Sequence, residues 1–238
     1  MNHHLFLQSC QSHEAALSTC SPRDVKSAVI HFNVSEFSSK LFHEYGVVLP
    51  KSIEKSVIKR QAEYLAGRIL AQRILIGSGH FDNELKIGSA REPLWPKGFI
   101  GSISHSDNIA LVIAAKANQY NLIGCDVEPL LSLELIEEIK LTVLLSEELP
   151  FLNAKNSCKQ EVFTLIYSAK ESLYKALYPK VGYFFDFYAA KVVKINRQEN
   201  IISLSLTNHL NDTYRKHHVF TLKFAHVKNN IMTVLYIE

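Results

Sequence analysis

The chain has 238 residues, 47% of them apolar and 21% charged, with a formal net charge of +3 when His is neutral. That composition is ordinary for a globular protein, and the length allows one large domain or two small ones. No apolar run reaches the roughly 20 residues of a membrane-spanning helix. The positive surplus is too small to argue nucleic-acid binding, although it suits a phosphate-rich cosubstrate or an acidic protein partner.

Residues 1–8 lack a positive, then long apolar stretch, so no secretory signal is expected. Cys10, Cys20, Cys125 and Cys158 show no C-x-x-C spacing or disulfide framework, which points to a reducing cytoplasm. The eleven histidines, His3, His4, His13, His209, His217 and His218 among them, show no zinc-type spacing and read as surface or structural.

Residues 1–50 hold short apolar clusters such as Ala28-Val29-Ile30-His31-Phe32 without periodicity. Ser52 reads as a helix N-cap, with Lys55 where a full capping box has an acid. Ile58, Ala62, Leu65 and Ile69 then recur at helical spacing, predicting an amphipathic helix to about Leu75 that ends at Gly77-Ser78-Gly79. On it Arg60 and Arg68 lie about 80° apart around the axis, close enough to flank one site. Arg91 follows in a loop with Pro93 and Pro96. Phe99–Ser104 and Ile109–Ala115 read as strands of a hairpin turned by Ser106-Asp107-Asn108. His105 stands at the strand end, where a side chain reaches a cleft. After a polar break near Asn118–Asn121 comes a strand, Leu122–Glu128, and then a helical stretch and a Ser146-capped short helix. A long helix over Gln160–Tyr178 is stopped by Pro179 and Gly182, and four β-rich runs follow: Ala190–Ile195, Ile201–Leu206, Val219–Phe224 and Ile231–Ile237. Helix followed by strands, twice over, predicts an α+β protein.

Two segments carry the chemistry. Strand alternation puts Asp126 and Glu128 on one face, with Val127 on the other. Glu171 and Lys175 lie one helical turn apart on a common face of the long helix. A lone Asp-x-Glu usually marks a solvated strand face, and Glu before Lys at i+4 is a favoured surface ion pair. Here both stand in apolar surroundings. Three convergent carboxylates beside a lysine suit a hard cation that bridges to a phosphate. Gly101-Ser102-Ile103-Ser104-His105-Ser106 offers that phosphate a cradle. Cys125 reads as a small packed residue rather than a nucleophile.

Taken together, Arg60-Gln61-Ala62-Glu63-Tyr64-Leu65-Ala66-Gly67-Arg68, Trp95 through Ser106, Ile123-Gly124-Cys125-Asp126-Val127-Glu128-Pro129 and Ser168-Ala169-Lys170-Glu171-Ser172 with Lys175 resemble the 4'-phosphopantetheinyl transferases, in particular the enterobactin-type group of siderophore synthesis. Phe185-Asp186-Phe187 belongs to the same likeness. Tyr167 stands where many relatives have tryptophan. The resemblance implies two similar halves, 1–120 and 121–238, related by a pseudo-two-fold axis, with an active site in the cleft between them. The first half would mainly bind coenzyme A and the second would hold the metal site and catalytic helix. Asp126, Glu128 and Glu171 would ligate Mg²⁺, with Glu171 as general base. Lys170, Lys175 and His105 would contact the coenzyme A diphosphate, with Ser104 adding a hydroxyl or backbone donor. Arg60, Arg68 and Arg91 would serve the 3'-phosphate and adenine end, Lys59 competing with Arg60 for that role. The partners would be coenzyme A and an apo acyl, aryl or peptidyl carrier protein, for a cytoplasmic monomer. Phe184 would join a patch that receives the carrier's helix. The rival readings are a metal-dependent nucleotide phosphohydrolase and a silent coenzyme A or carrier-binding module.

Overall fold

Helices and antiparallel sheets alternate along the chain in a computed structural model that describes residues 5–9, 11–81, 85–88, 91–154 and 157–238. His3, His4 and Cys10 lie outside the described residues. The α+β mixture expected from the helix–strand pattern is present. Among the described residues no helix is long and apolar enough to cross a membrane. The chain divides into two compact units, Met1–Asn121 and Leu122–Glu238.

The first unit runs β1 (Leu7–Gln8), α1 (Gln11–Cys20), β2 (Lys26–Phe32), α2 (Lys40–Glu44), α3 (Lys51–Glu54), α4 (Ile58–Gly77), β3 (Lys86–Ile87), β4 (Pro93–Leu94), β5 (Phe99–Ser106) and β6 (Ile109–Lys116). Strands β1, β2, β6 and β5 pair in that order as an antiparallel sheet. The expected hairpin is β5–β6. Its turn holds Asp107 at φ 48°, a left-handed conformation that Asp tolerates better than most residues. Helix α4 packs on β2, β6 and β5 through Ala62, Leu65, Ala66 and Ile69.

The start of α4 differs from the sequence expectation. Ser52 does not cap it but lies inside the separate short helix α3, and Val57 is the extended residue before α4. The side-chain amide of Gln61 donates to the carbonyls of Glu54 (3.1 Å) and Ser56 (2.9 Å). These bonds satisfy acceptors that a continuous helix would have bonded internally. Ile58, counted as the first core position, is 62% exposed as a result.

The second unit runs β7 (Leu122–Pro129), α5 (Leu133–Val143), α6 (Leu149–Leu152), α7 (Lys159–Val181), β8 (Ala190–Asn196), β9 (Ile201–Leu206), β10 (Val219–Val227) and β11 (Asn230–Ile237). Its antiparallel sheet has the order β7-β11-β10-β9-β8. Ser146 opens a 3-10 turn instead of capping a helix, and the Glu148 carboxylate accepts the Leu145 N–H at 2.8 Å. Pro179 does not end α7. The helix runs on to Val181 and closes at Gly182 in the left-handed region, with the Gly182 N–H on the Tyr178 carbonyl (2.8 Å).

Helix α7 crosses β7 and β11 at very close range. A Cβ built on Gly124 would stand 2.0 Å from the Ser172 carbonyl oxygen and 2.9 Å from the Ala176 Cβ. Thr233 of β11, paired across the ladder with Asp126, bonds Ser168 Oγ (2.9 Å) and Ser172 Oγ (2.7 Å), and its Oγ1 donates to the Ser168 carbonyl (3.0 Å). These buried hydroxyls fix both the height and the rotation of α7. Gly124→Ala is therefore expected to destabilise the protein by about 1–3 kcal/mol, the usual range for overpacking, read as a lower urea midpoint. An unchanged midpoint would mean the seam can open without penalty.

Candidate functional site

The acidic residues singled out from sequence lie on β7 and α7 of the second unit. Gly124, Asp126 and Glu128 alternate onto the face of β7 that meets α7, while Val127, fully buried, points the other way. Asp126 is 2% exposed, and its Oδ1 accepts from Lys175 Nζ at 2.7 Å. Burial works against the charge on Lys175, but Asp126, Cys125 and Glu171 outweigh it and hold the ammonium above its ordinary range. The Glu171 carboxyl is pushed up, first by burial, with Lys175 opposing and Asp126 reinforcing the rise. Tyr167 responds to all three acids: burial first, then Glu171, Glu128 and Asp126, push its phenol up. All three carboxylates thus act on one phenol, and the Lys175 ammonium pairs with one of them.

Among the described residues no three His, Cys, Asp or Glu side chains stand close enough together to hold a metal ion as they are. The donor chemistry nevertheless fits a hard divalent cation such as Mg²⁺, which takes only one or two protein carboxylates and fills its shell with water and phosphate oxygens. The upward push that Asp126 exerts on Glu171 is a like-charge repulsion that such a cation relieves. Beside Glu171 an apolar groove of about 260 Å³ is walled by Tyr174, Phe184, Phe185 and Phe187, and Phe184 is 75% exposed.

The first unit holds a cavity of about 340 Å³ lined by Arg60, Glu63, Tyr64, Arg68, Arg91 and His105, among others. Arg60 and Arg68 face the same space, as their angular separation on α4 predicts. Arg68 is 6% exposed and stacks over the Tyr64 ring at 4.7 Å. Its buried Nε has no hydrogen-bond partner, and no ion pair of Arg68 is found among the described residues. A desolvated guanidinium with an open donor on a cavity wall suits an incoming anion. Arg91 holds φ 69° in the loop between β3 and β4, where its N–H donates to the Gly88 carbonyl at 3.0 Å. Lys59, the competitor of Arg60, instead reaches Asp107 at 3.1 Å and does not line the cavity.

Ser104 and Lys170 depart from expectation. Ser104 is buried, and alternation along β5 puts its side chain on the opposite face from His105, away from the cavity. The Lys170 ammonium is 2% exposed and donates to Glu148 Oε2 (2.7 Å), the Val143 carbonyl (2.7 Å) and the Phe187 carbonyl (3.2 Å). All three of its donors are engaged, so none remains for a diphosphate.

Comparison with known proteins gives matching family models over both units. Residues 50–115 match the 4'-phosphopantetheinyl transferase N-terminal domain, and residues 122–234 match the 4'-phosphopantetheinyl transferase superfamily. The chain is 34% identical over 167 residues to enterobactin synthase component D of Salmonella typhi, covering 69% of each chain. It is 33% identical over 146 residues to that of Escherichia coli strain K12, covering 60% of this chain and 66% of the relative. It is also 30% identical over 140 residues to the 4'-phosphopantetheinyl transferase Npt of Nocardia iowensis, covering 59% and 62%.

Glu148 and Glu63 escape a reading by motif. Glu148 lies far from Lys170 in sequence, although a short turn rich in acid after a helix is a fair signal for a buried acceptor. Its carboxylate also accepts the Val192 N–H at 2.7 Å. Glu63 carries a plainer signal, one turn after Arg60 on a helix face that points to the cavity. The buried Lys170–Glu148 pair predicts that Lys170→Met costs about 3–5 kcal/mol by stranding a carboxylate, measured by urea unfolding. Coenzyme A affinity of the folded fraction should be unchanged. A large loss of affinity at wild-type stability would return Lys170 to the ligand site.

Proposed function

We propose a defined reaction for a chain that belongs to the 4'-phosphopantetheinyl transferase superfamily: Mg²⁺-dependent transfer of 4'-phosphopantetheine from coenzyme A to a serine of an apo carrier protein. The observation that carries it is buried Asp126 paired at 2.7 Å with Lys175, one turn after Glu171 on α7, with Glu128 on the same face of β7. The names of the enterobactin synthase relatives support a carrier domain of a nonribosomal peptide synthetase, in the making of a siderophore, as the acceptor. The cysteine spacing, with no disulfide framework in the sequence, supports a reducing cytoplasm, and the enzyme is taken to act as a monomer.

Asp126, Glu128 and Glu171 would hold the cation, which when bound neutralises charge on the diphosphate. Glu171, with its affinity for a proton raised by burial and by Asp126, takes the proton of the carrier serine. The serine oxygen forms a bond to the pantetheine-side phosphorus, and the bond from that phosphorus to the bridging oxygen breaks. The electron pair leaves with 3',5'-ADP. Lys175, kept charged by Asp126 and Glu171, donates to the diphosphate where negative charge builds on the departing group. The guanidinium wall of Arg60, Arg68 and Arg91, with His105, takes the phosphate-bearing nucleotide end. Phe184 and the groove beside Glu171 offer the carrier an apolar seat next to the base.

Incubation with coenzyme A, Mg²⁺ and an apo aryl or peptidyl carrier protein should add one phosphopantetheine to the carrier by intact-mass spectrometry. EDTA should abolish the gain and excess Mg²⁺ restore it. Asp126→Asn and Glu171→Gln should each lower kcat by about 100-fold or more while the fold is retained. Release of 3',5'-ADP without an acceptor would instead mean a phosphohydrolase, and binding without turnover a silent module. Phe184→Ala should raise the KM for carrier about 10-fold and leave that for coenzyme A unchanged. Equal shifts in both would remove Phe184 from the carrier's seat.

A further inference from the structure

His105, Glu63 and Arg60 form a closed triangle on the wall of the first unit's cavity. Glu63 Oε2 lies 3.3 Å from His105 Nδ1 and 3.3 Å from Arg60 Nη1. Arg60 Nη1 also contacts His105 Nε2. The carboxylate is an acceptor only and the guanidinium a donor only. The guanidinium therefore assigns the neutral imidazole a lone pair on Nε2 that receives an Arg60 N–H, and with it a proton on Nδ1. Among the described residues both acceptors of the Arg60 guanidinium meet it at Nη1, which leaves Nη2 and Nε for a ligand.

We infer that Glu63 is a positioning residue for Arg60: carboxylate and imidazole each take an N–H of Nη1 and together hold the guanidinium in the cavity so that its remaining N–H groups meet a phosphate oxygen. His105 then acts chiefly as the strut of Arg60. The phosphate is that of the coenzyme A reading, on which this inference rests. Two effects of opposite sign compete when Glu63 is removed. Losing a negative charge makes the cavity more positive and would tighten anion binding, but in a partly exposed pair that gain is small. Losing the strut lets a long side chain move, and the ligand must then order it, a larger cost per side chain. Positioning predicts weaker binding and a simple counter-charge predicts tighter binding, so the sign decides.

The test uses the whole protein with 3',5'-ADP and coenzyme A as probes, and Glu63→Ala and Glu63→Gln variants whose thermal melts report folding. Glu63→Ala should weaken both probes, and raise the KM for coenzyme A, by about 3- to 10-fold with kcat unchanged. Glu63→Gln, whose amide oxygen still accepts from Arg60 Nη1, should recover much of the loss. In ¹⁵N-histidine NMR without ligand, His105 should be the Nδ1–H tautomer in the wild type and in Glu63→Gln, and should lose that preference in Glu63→Ala. Tighter binding in Glu63→Ala, or a His105 tautomer indifferent to Glu63, overturns the inference. If the wild type binds neither probe, the coenzyme A reading falls, and the ring tautomer alone still decides whether Glu63 holds Arg60 on His105 Nε2.

Discussion

The carbonyl oxygen of Ser172 fills the space that a side chain at position 124 would need, and the second unit's acidic centre is built on that contact. With α7 seated directly on β7, a residue three positions beyond Ser172 reaches the strand residue two beyond Gly124, and Lys175 meets Asp126. The same seating lets Thr233 bond Ser168 and Ser172, so the helix cannot rotate without breaking buried hydrogen bonds. A centre that must hold carboxylates within reach of one another against their repulsion needs such a rigid seam, because small displacements would relax the charges apart.

Two lysines of α7 show how the surroundings of a charge decide its task. Lys170 and Lys175 are five residues apart, about 140° around the helix axis. Lys170 turns into the unit's interior, where a carboxylate and two carbonyls take all its donors. That arrangement offsets the desolvation of a buried ammonium and ties α7 to the turn before α6 and to the segment leading into β8. Lys175 keeps about a quarter of its side chain exposed and has its charge reinforced by Asp126 and Glu171. Only the second combines a secured charge with access to a ligand.

The first unit presents the opposite electrostatic sign. Arg60, Arg68 and Arg91 share one wall with His105, and Glu63 is the carboxylate set among them. Arg68 is desolvated over Tyr64, a position in which a guanidinium gains most from an anion. The matches over 50–115 and 122–234 place both units in the one transferase family.

Much of this was legible in the amino-acid order because it is local. Turn residues and alternation marked β5, β6 and β7, and put Asp126 and Glu128 on one face, since strand pleating alone imposes that. Helical spacing paired Glu171 with Lys175 and set Arg60 near Arg68. Tertiary packing decided the rest. Which of two lysines turned inward, which side of β5 faced the cavity, and where α4 began all depended on partners distant in sequence: Glu148 for Lys170, the seat of α4 for Ser104 and His105, and the Gln61 amide for the break after α3. Periodicity tells which side chains share a face, but what covers that face is a property of the folded chain, because burial and hydrogen-bond satisfaction are set by neighbours that sequence order does not reveal.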